Sequence, residues 1–315
     1  MPKEGKNMHD LTVSTFTDEV INVLEKYHDG FTFTVNTVNK TNNVSLTGLT
    51  IREGEANICP TIYMDSYFRE FEKGKDIEEI ADEIWESYES CKDTSFELPN
   101  FSDYQDVAER IRVKVLSSER NSEYLSGKVN MSFGDLSACF YIEVGEGTIT
   151  ITEEMAETWG RTAEDLLTVA MENAHEQSIY EIMDMRAVLS DMMHISPEEF
   201  DEQMPGSENV ESMMYVVSNK TRVSGSGAIL DLDLWKEFAK EHGNLYILPS
   251  SIHELIAVPD NGADDAVENL TAMVREVNST QVAPEEVLSE NVYYYDKEKN
   301  EISFAATKEA IVLSA

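Results

Sequence analysis

Residues 129–151, VNMSFGDLSACFYIEVGEGTITI, read as three successive runs of period two: Val129 to Phe133, Ala138 to Val144 and Thr148 to Ile151. A period of two is the mark of strands with one buried face, and three such runs in succession predict an antiparallel meander. Working outward from it, Asp103 to Leu116 repeats a helical period through Val107, Ile111 and Val115, and Asp76 to Ser90 is an amphipathic helix. Ile77, Ile80, Ala81, Ile84, Trp85 and Tyr88 form the apolar stripe of that second helix, with carboxylates on its other face. Further upstream, Ser14 to His28 reads as a helix with Phe16, Val20, Leu24 and Tyr27 facing inward. A hairpin then joins Phe31–Val35 to Val44–Leu46 through turn chemistry at residues 39–43. Ile58 to Met64 is a third strand, and Pro60 places it at an edge or a bulge. The order helix, strands, helices, strands is α+β rather than βαβ.

Downstream, Thr162 opens a helix to Glu176 with a capping box to Asp165, burying Leu166, Leu167, Ala170, Met171 and Ala174. Ile179 to Met193 is read as a further helix, and Ser196-Pro197-Glu198-Glu199 starts another. Strands follow at Met213–Val217, Leu245–Leu248 and Glu254–Val258, helices at Leu232–His242 and Asp264–Val277, and a closing hairpin pairs Val292–Tyr295 with Ile302–Phe304. The expected architecture is antiparallel sheets with packed amphipathic helices in two sub-domains. Residues 1–13 form a flexible leader, 14–152 an N-terminal region and 153–315 a C-terminal one, cut where strands give way to helices.

The 315 residues include 12 Phe, 13 Tyr and 3 Trp, which with a 41% hydrophobic content supports packed cores rather than disorder. Charge is the outlying property: 61 Asp and Glu stand against 24 Lys and Arg, a net −37. Between Lys128 and Lys220 only Arg161 and Arg186 oppose 19 carboxylates. Such a surface repels nucleic acid and anionic membranes and attracts basic partners or cations. No run of 18 apolar residues predicts a membrane span, and MPKEGKNMHD has no apolar stretch of signal-peptide length. Cys59, Cys91 and Cys139 are spaced too widely for a zinc knuckle or a redox pair, and Cys59 and Cys139 lie in apolar runs. A reducing cytoplasm is the expected compartment.

Familiar reactive motifs fail in particular ways. A helical zinc site needs a second imidazole four residues after the first, but Ile179 follows His175 and Ala257 follows His253 at that distance. His194 with Asp191 is a lone pair rather than a ligand set. Asp231-Leu-Asp233 departs from a calcium loop, with Trp235 and Glu237 at later ligand places and no glycine at the sixth. Ser224-Gly-Ser-Gly227 begins like a dinucleotide fingerprint, but Leu230 occupies the third glycine position and Lys220 precedes the loop, so a flexible connection is expected. With 61 carboxylates, a catalytic pair cannot be singled out. No metal or cofactor is expected.

Two candidate surfaces remain. In the turn Pro249 to Glu254, Ser250, Ser251, His253 and Glu254 concentrate hydroxyl, imidazole and carboxylate groups between two strands. This is a candidate ligand loop, although it lacks the glycines of a nucleophile elbow. Nine of the 14 methionines, among them Met183, Met185, Met192 and Met193, fall between Met155 and Met214, which suits a pliable apolar face or core packing. The second surface is acidic. Glu78, Asp82, Glu86 and Glu89 fall on one helix face, Glu172, Glu176 and Asp184 suggest another row, and Glu198, Glu199, Asp201 and Glu202 a third. Helical neighbours lie about 5–6 Å apart, comparable to the separation of phosphates along one nucleic-acid strand. Solvated charge is the plain reading of such rows; docking on a basic protein is the sharper one.

Asn43-Val-Ser-Leu-Thr-Gly-Leu-Thr-Ile51, Pro60-Thr-Ile-Tyr-Met64, Trp159-Gly160, Ala170-Met-Glu-Asn173 and Leu248-Pro-Ser-Ser-Ile-His-Glu254 resemble an uncharacterised protein family of anaerobic Gram-positive gut bacteria. The resemblance spans residues 14 to 305 and implies a bacterial intracellular protein, without an activity or a cofactor. The leading expectation is a non-enzymatic interaction protein that binds a basic, nucleic-acid-binding protein, mimicking nucleic acid to inhibit a nuclease or defence complex. The competing expectation is an enzyme or small-ligand binder using the Pro249–Glu254 turn.

Overall fold

The computed structural model describes residues 12–54, 61–91, 98–145, 147–203 and 214–314, apart from the side chains of Pro197 and Asp201. Its strands form three sheets whose pairings are all antiparallel, accompanied by helices, an α+β fold. The chain divides into two compact units between Phe96 and Glu97.

The first unit runs α1 (Val13–Tyr27), β1 (Phe31–Asn39), β2 (Ser45–Glu53), β3 (Thr61–Tyr63), α2 (Met64–Glu72) and α3 (Ile77–Cys91). Thr12 and Thr15 exchange side-chain and backbone bonds in a capping box that starts α1, so the end of the expected leader is helical. Residues 1–11 of that leader, and Pro60 of the expected third strand, lie outside the described residues. Asn42 and Asn43 take left-handed backbone angles between β1 and β2, the conformation asparagine tolerates best, and the two strands pair over nine residues each. A side chain at Gly48 would meet Thr61 Cγ2 at 2.6 Å and Val38 Cγ2 at 2.9 Å. Phe16, Val20 and Leu24 of α1, Leu49 and Ile51 of β2, and Ile80, Ile84 and Tyr88 of α3 close the core. Tyr27, expected on the buried stripe, is the last residue of α1 and 62% exposed.

The second unit opens with α4 (Tyr104–Val107), β4 (Ile111–Ser117), α5 (Ser122–Leu125), β5 (Asn130–Phe133), β6 (Leu136–Val144) and β7 (Gly147–Thr150). The three strands expected from residues 129–151 are present, but not as a meander: β5 and β7 pair with successive parts of one edge of β6, residues 136–139 and 141–144, and β4 takes the other edge. The helix expected over Asp103–Leu116 is corrected to the short α4 and the strand β4. Ile111, Val113, Val115 and Leu116 are all buried; the alternation Ile111-Arg112-Val113-Lys114-Val115 marks the strand, and the four-residue spacing of Val107, Ile111 and Val115 only coincides with a helical period. Next come α6 (Glu153–Trp159) and α7 (Ala163–Glu176), the latter started by the capping box between Thr162 and Asp165. Asn173 of α7 donates to the carbonyls of Ala108 and Ile111 at 2.8 and 3.0 Å, binding the helix to β4 across the cut expected at Glu153. That is why the division falls earlier.

The remaining elements are β8 (Tyr180–Asp184), α8 (Met185–Met192), α9 (Pro197–Gln203), β9 (Tyr215–Asn219), α10 (Leu232–His242), β10 (Leu245–Leu248), β11 (Leu255–Pro259), α11 (Ala266–Thr280), β12 (Tyr293–Asp296), β13 (Glu301–Phe304) and β14 (Leu313–Ser314). They build a six-stranded sheet in the order β13-β12-β10-β11-β9-β8, while β14 joins β5 in the sheet of β4 to β7. The single helix expected over Ile179–Met193 is instead β8 followed by α8. All five β8 residues are half-buried, so no alternation announces the strand.

The expected flexible connection at Ser224–Gly227 is a buried 3-10 turn, Gly225–Leu230. A Cβ at Gly225 would collide with Ser218 Oγ and lie 2.5 Å from the His253 carbonyl oxygen; one at Gly227 would meet Tyr180 Oη at 2.5 Å and Val113 O at 2.7 Å. These glycines serve close packing rather than phosphate binding. Cys139 is buried, which raises its thiol pKa, Cys91 is exposed, and Cys59 lies outside the described residues.

Candidate functional site

The acidic row on α3 is the most coherent of the expected surfaces. At 3.6 residues per turn, Glu78, Asp82, Glu86 and Glu89 fall within an arc of about 80°, and all four are exposed. Ile80, Ile84 and Tyr88 occupy the opposite, buried side. The helix contains no Lys or Arg. Beside it, Lys75 forms ion pairs with Glu70 and Glu83 at 2.5 and 2.7 Å, so its charge is engaged on the flank of the row. These contacts, first of all the bond to Glu70, hold the Lys75 pKa above its ordinary value.

In the second unit the expected rows hold only in part. Glu172 and Glu176 are exposed one turn apart on α7. Asp184 does not extend that row: it lies at the end of β8 and caps α8, its Oδ1 accepting from the amides of Arg186 and Ala187 at 2.8 and 3.3 Å. On α9, Glu198 and Glu202 are exposed at helical spacing, while Glu199 closes a capping box by accepting from the Ser196 amide at 3.0 Å. The Asp201 side chain lies outside the described residues.

The Pro249–Glu254 turn is divided by its hydrogen bonds. His253 points inward: its Nδ1 accepts from the Ser224 amide at 3.1 Å, and its Nε2 lies 3.2 Å from Glu286 Oε1. An accepting Nδ1 leaves the proton of a neutral ring on Nε2, which donates to Glu286. The His253 carbonyl also accepts from Gly225 N at 3.0 Å and Ser218 Oγ at 2.7 Å. Ser251 Oγ accepts from the His253 amide, and Ser250 Oγ donates to Glu254 Oε1 at 3.3 Å. Both ring nitrogens are thus engaged elsewhere, and the geometry forms no serine–imidazole nucleophile pair.

Ser250 and Glu254 instead reach the rim of a cavity of about 230 Å³ beneath α11, walled by Met185, Met214, Ile256 and Val274. The methionine-rich segment indicated this pliable wall. Leu248 and Val277 complete it from positions more than 30 residues beyond that segment, which local reading did not join to it. Among the described residues, no group of three or more His, Cys, Asp and Glu side chains is placed to hold a metal ion. No helix among them is long and apolar enough to cross a membrane.

Fold and surface together define an acidic α+β protein with an uninterrupted carboxylate row on one helix. The chain belongs to a family of unknown function, DUF5688, whose family model matches residues 13–297. No curated protein and no solved structure matches it.

Proposed function

We propose that this is a non-enzymatic interaction protein that docks its acidic helix faces on a basic protein surface. In the most specific form of the role, it occupies the nucleic-acid groove of a nuclease or defence complex. The observation that carries the reading is the α3 row: four exposed carboxylates on one face of a helix without a basic residue. An isolated exposed carboxylate is weakly coupled to a partner, whereas a row with like charge on both sides concentrates the field that steers a cationic surface. The host belonging to the same reading is an anaerobic Gram-positive gut bacterium, with the protein in its cytoplasm. The sequence resemblance and the cysteine spacing support those two points.

The test is capture from a bacterial lysate on immobilised protein at low and high salt. The comparison is a variant carrying Glu78→Lys, Asp82→Lys and Glu86→Lys. A basic protein retained at low salt, released at high salt and lost with the variant is the expected result. A partner indifferent to salt and to the substitutions, or no basic protein at all, overturns the reading.

The cavity beneath α11 favours a second reading, a small-ligand protein. Its wall suits an apolar molecule, and Glu254 at the rim suits one with a hydrogen-bond donor at its end. A thermal-shift screen of apolar amines tests it, and a true ligand loses its effect in Val277→Trp, which fills the space.

A further inference from the structure

The geometry points to a binding groove for an extended basic peptide segment, formed by the open edge of β8 and the overhanging face of α10. This deepens the charge reading above and rests on it, and it names both the shape of the partner's segment and the place that receives it.

Strand β8 is the last of the six-stranded sheet, and among the described residues it pairs only with β9. Its register fixes which backbone groups face outward. Two bonds flank the paired segment: Lys220 N donates to Ile179 O at 3.2 Å, and Met185 N donates to Met214 O at 3.0 Å. Ile179 opposite Lys220 and Met185 opposite Met214 continue the register of Tyr180 opposite Asn219 and Asp184 opposite Tyr215. Hydrogen-bonded pairs in an antiparallel ladder alternate with non-bonded ones. Glu181 and Met183 therefore bond inward to β9, while the N–H and C=O groups of Tyr180 and Ile182 point away from the sheet. Such an edge accepts another strand.

Beside this edge lies a cavity of about 330 Å³, lined by Glu181 and Ile182 of β8 and by Leu234, Glu237, Phe238 and Glu241 of α10. The α10 positions recur every three or four residues, so one helix face runs along the strand. Phe238 is held in place by His242, stacked at 4.1 Å between ring centres, and by Tyr215 at 4.9 Å. Strand edge, helix and aromatic platform together make a groove of the shape used for strand addition.

Charge selects the occupant. Three carboxylates line the groove and no Lys or Arg does, although Lys240, just outside, engages Glu237. A lysine or arginine on the added strand can lay its aliphatic stem on Phe238 and carry its charge to Glu241 or Glu237. Because side chains alternate along a strand, every second residue of the segment faces α10, and those are the positions for basic side chains. A second copy of this chain is a poor occupant: with a net −37 it brings like charge to an acidic edge.

The probe is a fluorescent peptide of alternating lysine and valine, about eight residues long, which spans β8 at ~3.3 Å per residue. Two further forms carry the same charge, one N-methylated on every lysine amide and the other on every valine amide. Binding is read by anisotropy. Strand addition blocks one methylated form, weakening it at least about tenfold, and leaves the other close to the parent, a difference that charge alone cannot produce.

Ile182→Pro removes an outward N–H without removing a ladder bond and is expected to abolish binding. Glu181→Lys combined with Glu241→Lys keeps the strand intact, serves if the proline variant fails to fold, and is expected to weaken binding to a similar extent. Equal binding of all three peptides, equal loss of both methylated forms, unchanged binding by the folded variants, or no binding of the parent overturns the groove. Equal binding by all three peptides that still declines with salt and with lysines on α3 overturns the groove while leaving the charge reading in place. Binding that ignores salt and charge reversal overturns both.

Discussion

His253 shows how far a residue type can mislead without its partners. Beside Ser250, Ser251 and Glu254 in sequence it suggests a reactive or ligand-facing loop. In the structure it is a bracket. It holds the Ser224 amide and Glu286 through its ring, and Gly225 and Ser218 through its carbonyl, fixing the buried turn that contains Gly225 and Gly227. Ser224 is 29 residues away and Glu286 is 33, so local reading could not supply either partner. His253→Ala leaves the Ser224 N–H without its acceptor and Glu286 without its donor. The expected loss is about 1–3 kcal/mol, the range for orphaning a partly buried polar group. In urea titration this appears as a lower midpoint with an unchanged slope. A midpoint equal to that of the unaltered protein would return His253 to the role of an accessory side chain.

At the scale of elements, legibility followed the physics of each signal. Local devices were readable: the Thr162 capping box, the apolar stripe of α3 and the short strands β5 and β7 are each complete within a few residues, and all stand in the fold. Elements whose pattern depends on what covers them were not. Strand β4 alternates in Ile111-Arg112-Val113-Lys114-Val115, but Arg112 is buried with its apolar neighbours and the four-residue spacing of Val107, Ile111 and Val115 competes as a helical signal, while β8 shows no alternation because an edge strand beside a groove is half-exposed throughout. The same dependence hid the surfaces: the α3 row was legible because one helix contains it, whereas the groove joins β8 to α10 across some 50 residues of sequence. Thr162 offers a clean test of the local kind. Its Oγ1 accepts from the Asp165 amide at 3.2 Å, while the Asp165 carboxylate accepts from the Thr162 amide at 2.9 Å. Thr162→Ala removes the first of these bonds and is expected to destabilise the second unit by about 1 kcal/mol. Thr162→Ser should recover most of it, because the hydroxyl is retained. Equal midpoints for the alanine and serine variants would mean that α7 is held by the contacts of Asn173 and Leu166 alone.

On the scale of the whole molecule, stability depends on pH and on salt through different groups. Burial is the main cause that raises the phenol pKa of Tyr141, Tyr180 and Tyr293, with Glu143 acting further on Tyr141 and Asp135 on Tyr293; Tyr294 is pushed up to about 12. The folded chain therefore keeps these protons when the unfolded chain, with tyrosines near 10, gives them up. Below that pH the contribution is complete; above it the unfolded state binds fewer protons and stability falls with each further step in pH. A spectrophotometric titration should show these tyrosines ionising together with the loss of circular dichroism, and reversible ionisation near pH 10 in a folded chain would refute it. Salt acts on the carboxylates. Up to Phe96 the chain has 19 acidic and nine basic residues, and beyond it 42 and 15, so each unit carries a surplus of its own, −10 and −27. Self-repulsion of that kind opposes compaction, and the screening length shortens from about 30 Å at 0.01 M to about 8 Å at 0.15 M salt. Over this interval repulsion across a unit is screened while contacts such as Arg112 with Glu143 at 2.9 Å, within the screening length throughout, are largely spared. Both units should therefore melt at higher temperature as sodium chloride is added, the second more steeply because its surplus is larger. Calorimetry at the two salt levels decides the matter: a falling midpoint would mean that ion pairs outweigh repulsion, and an unchanged one that the carboxylates stand too far apart to act together, which would also deprive the α3 row of the field that its proposed role requires.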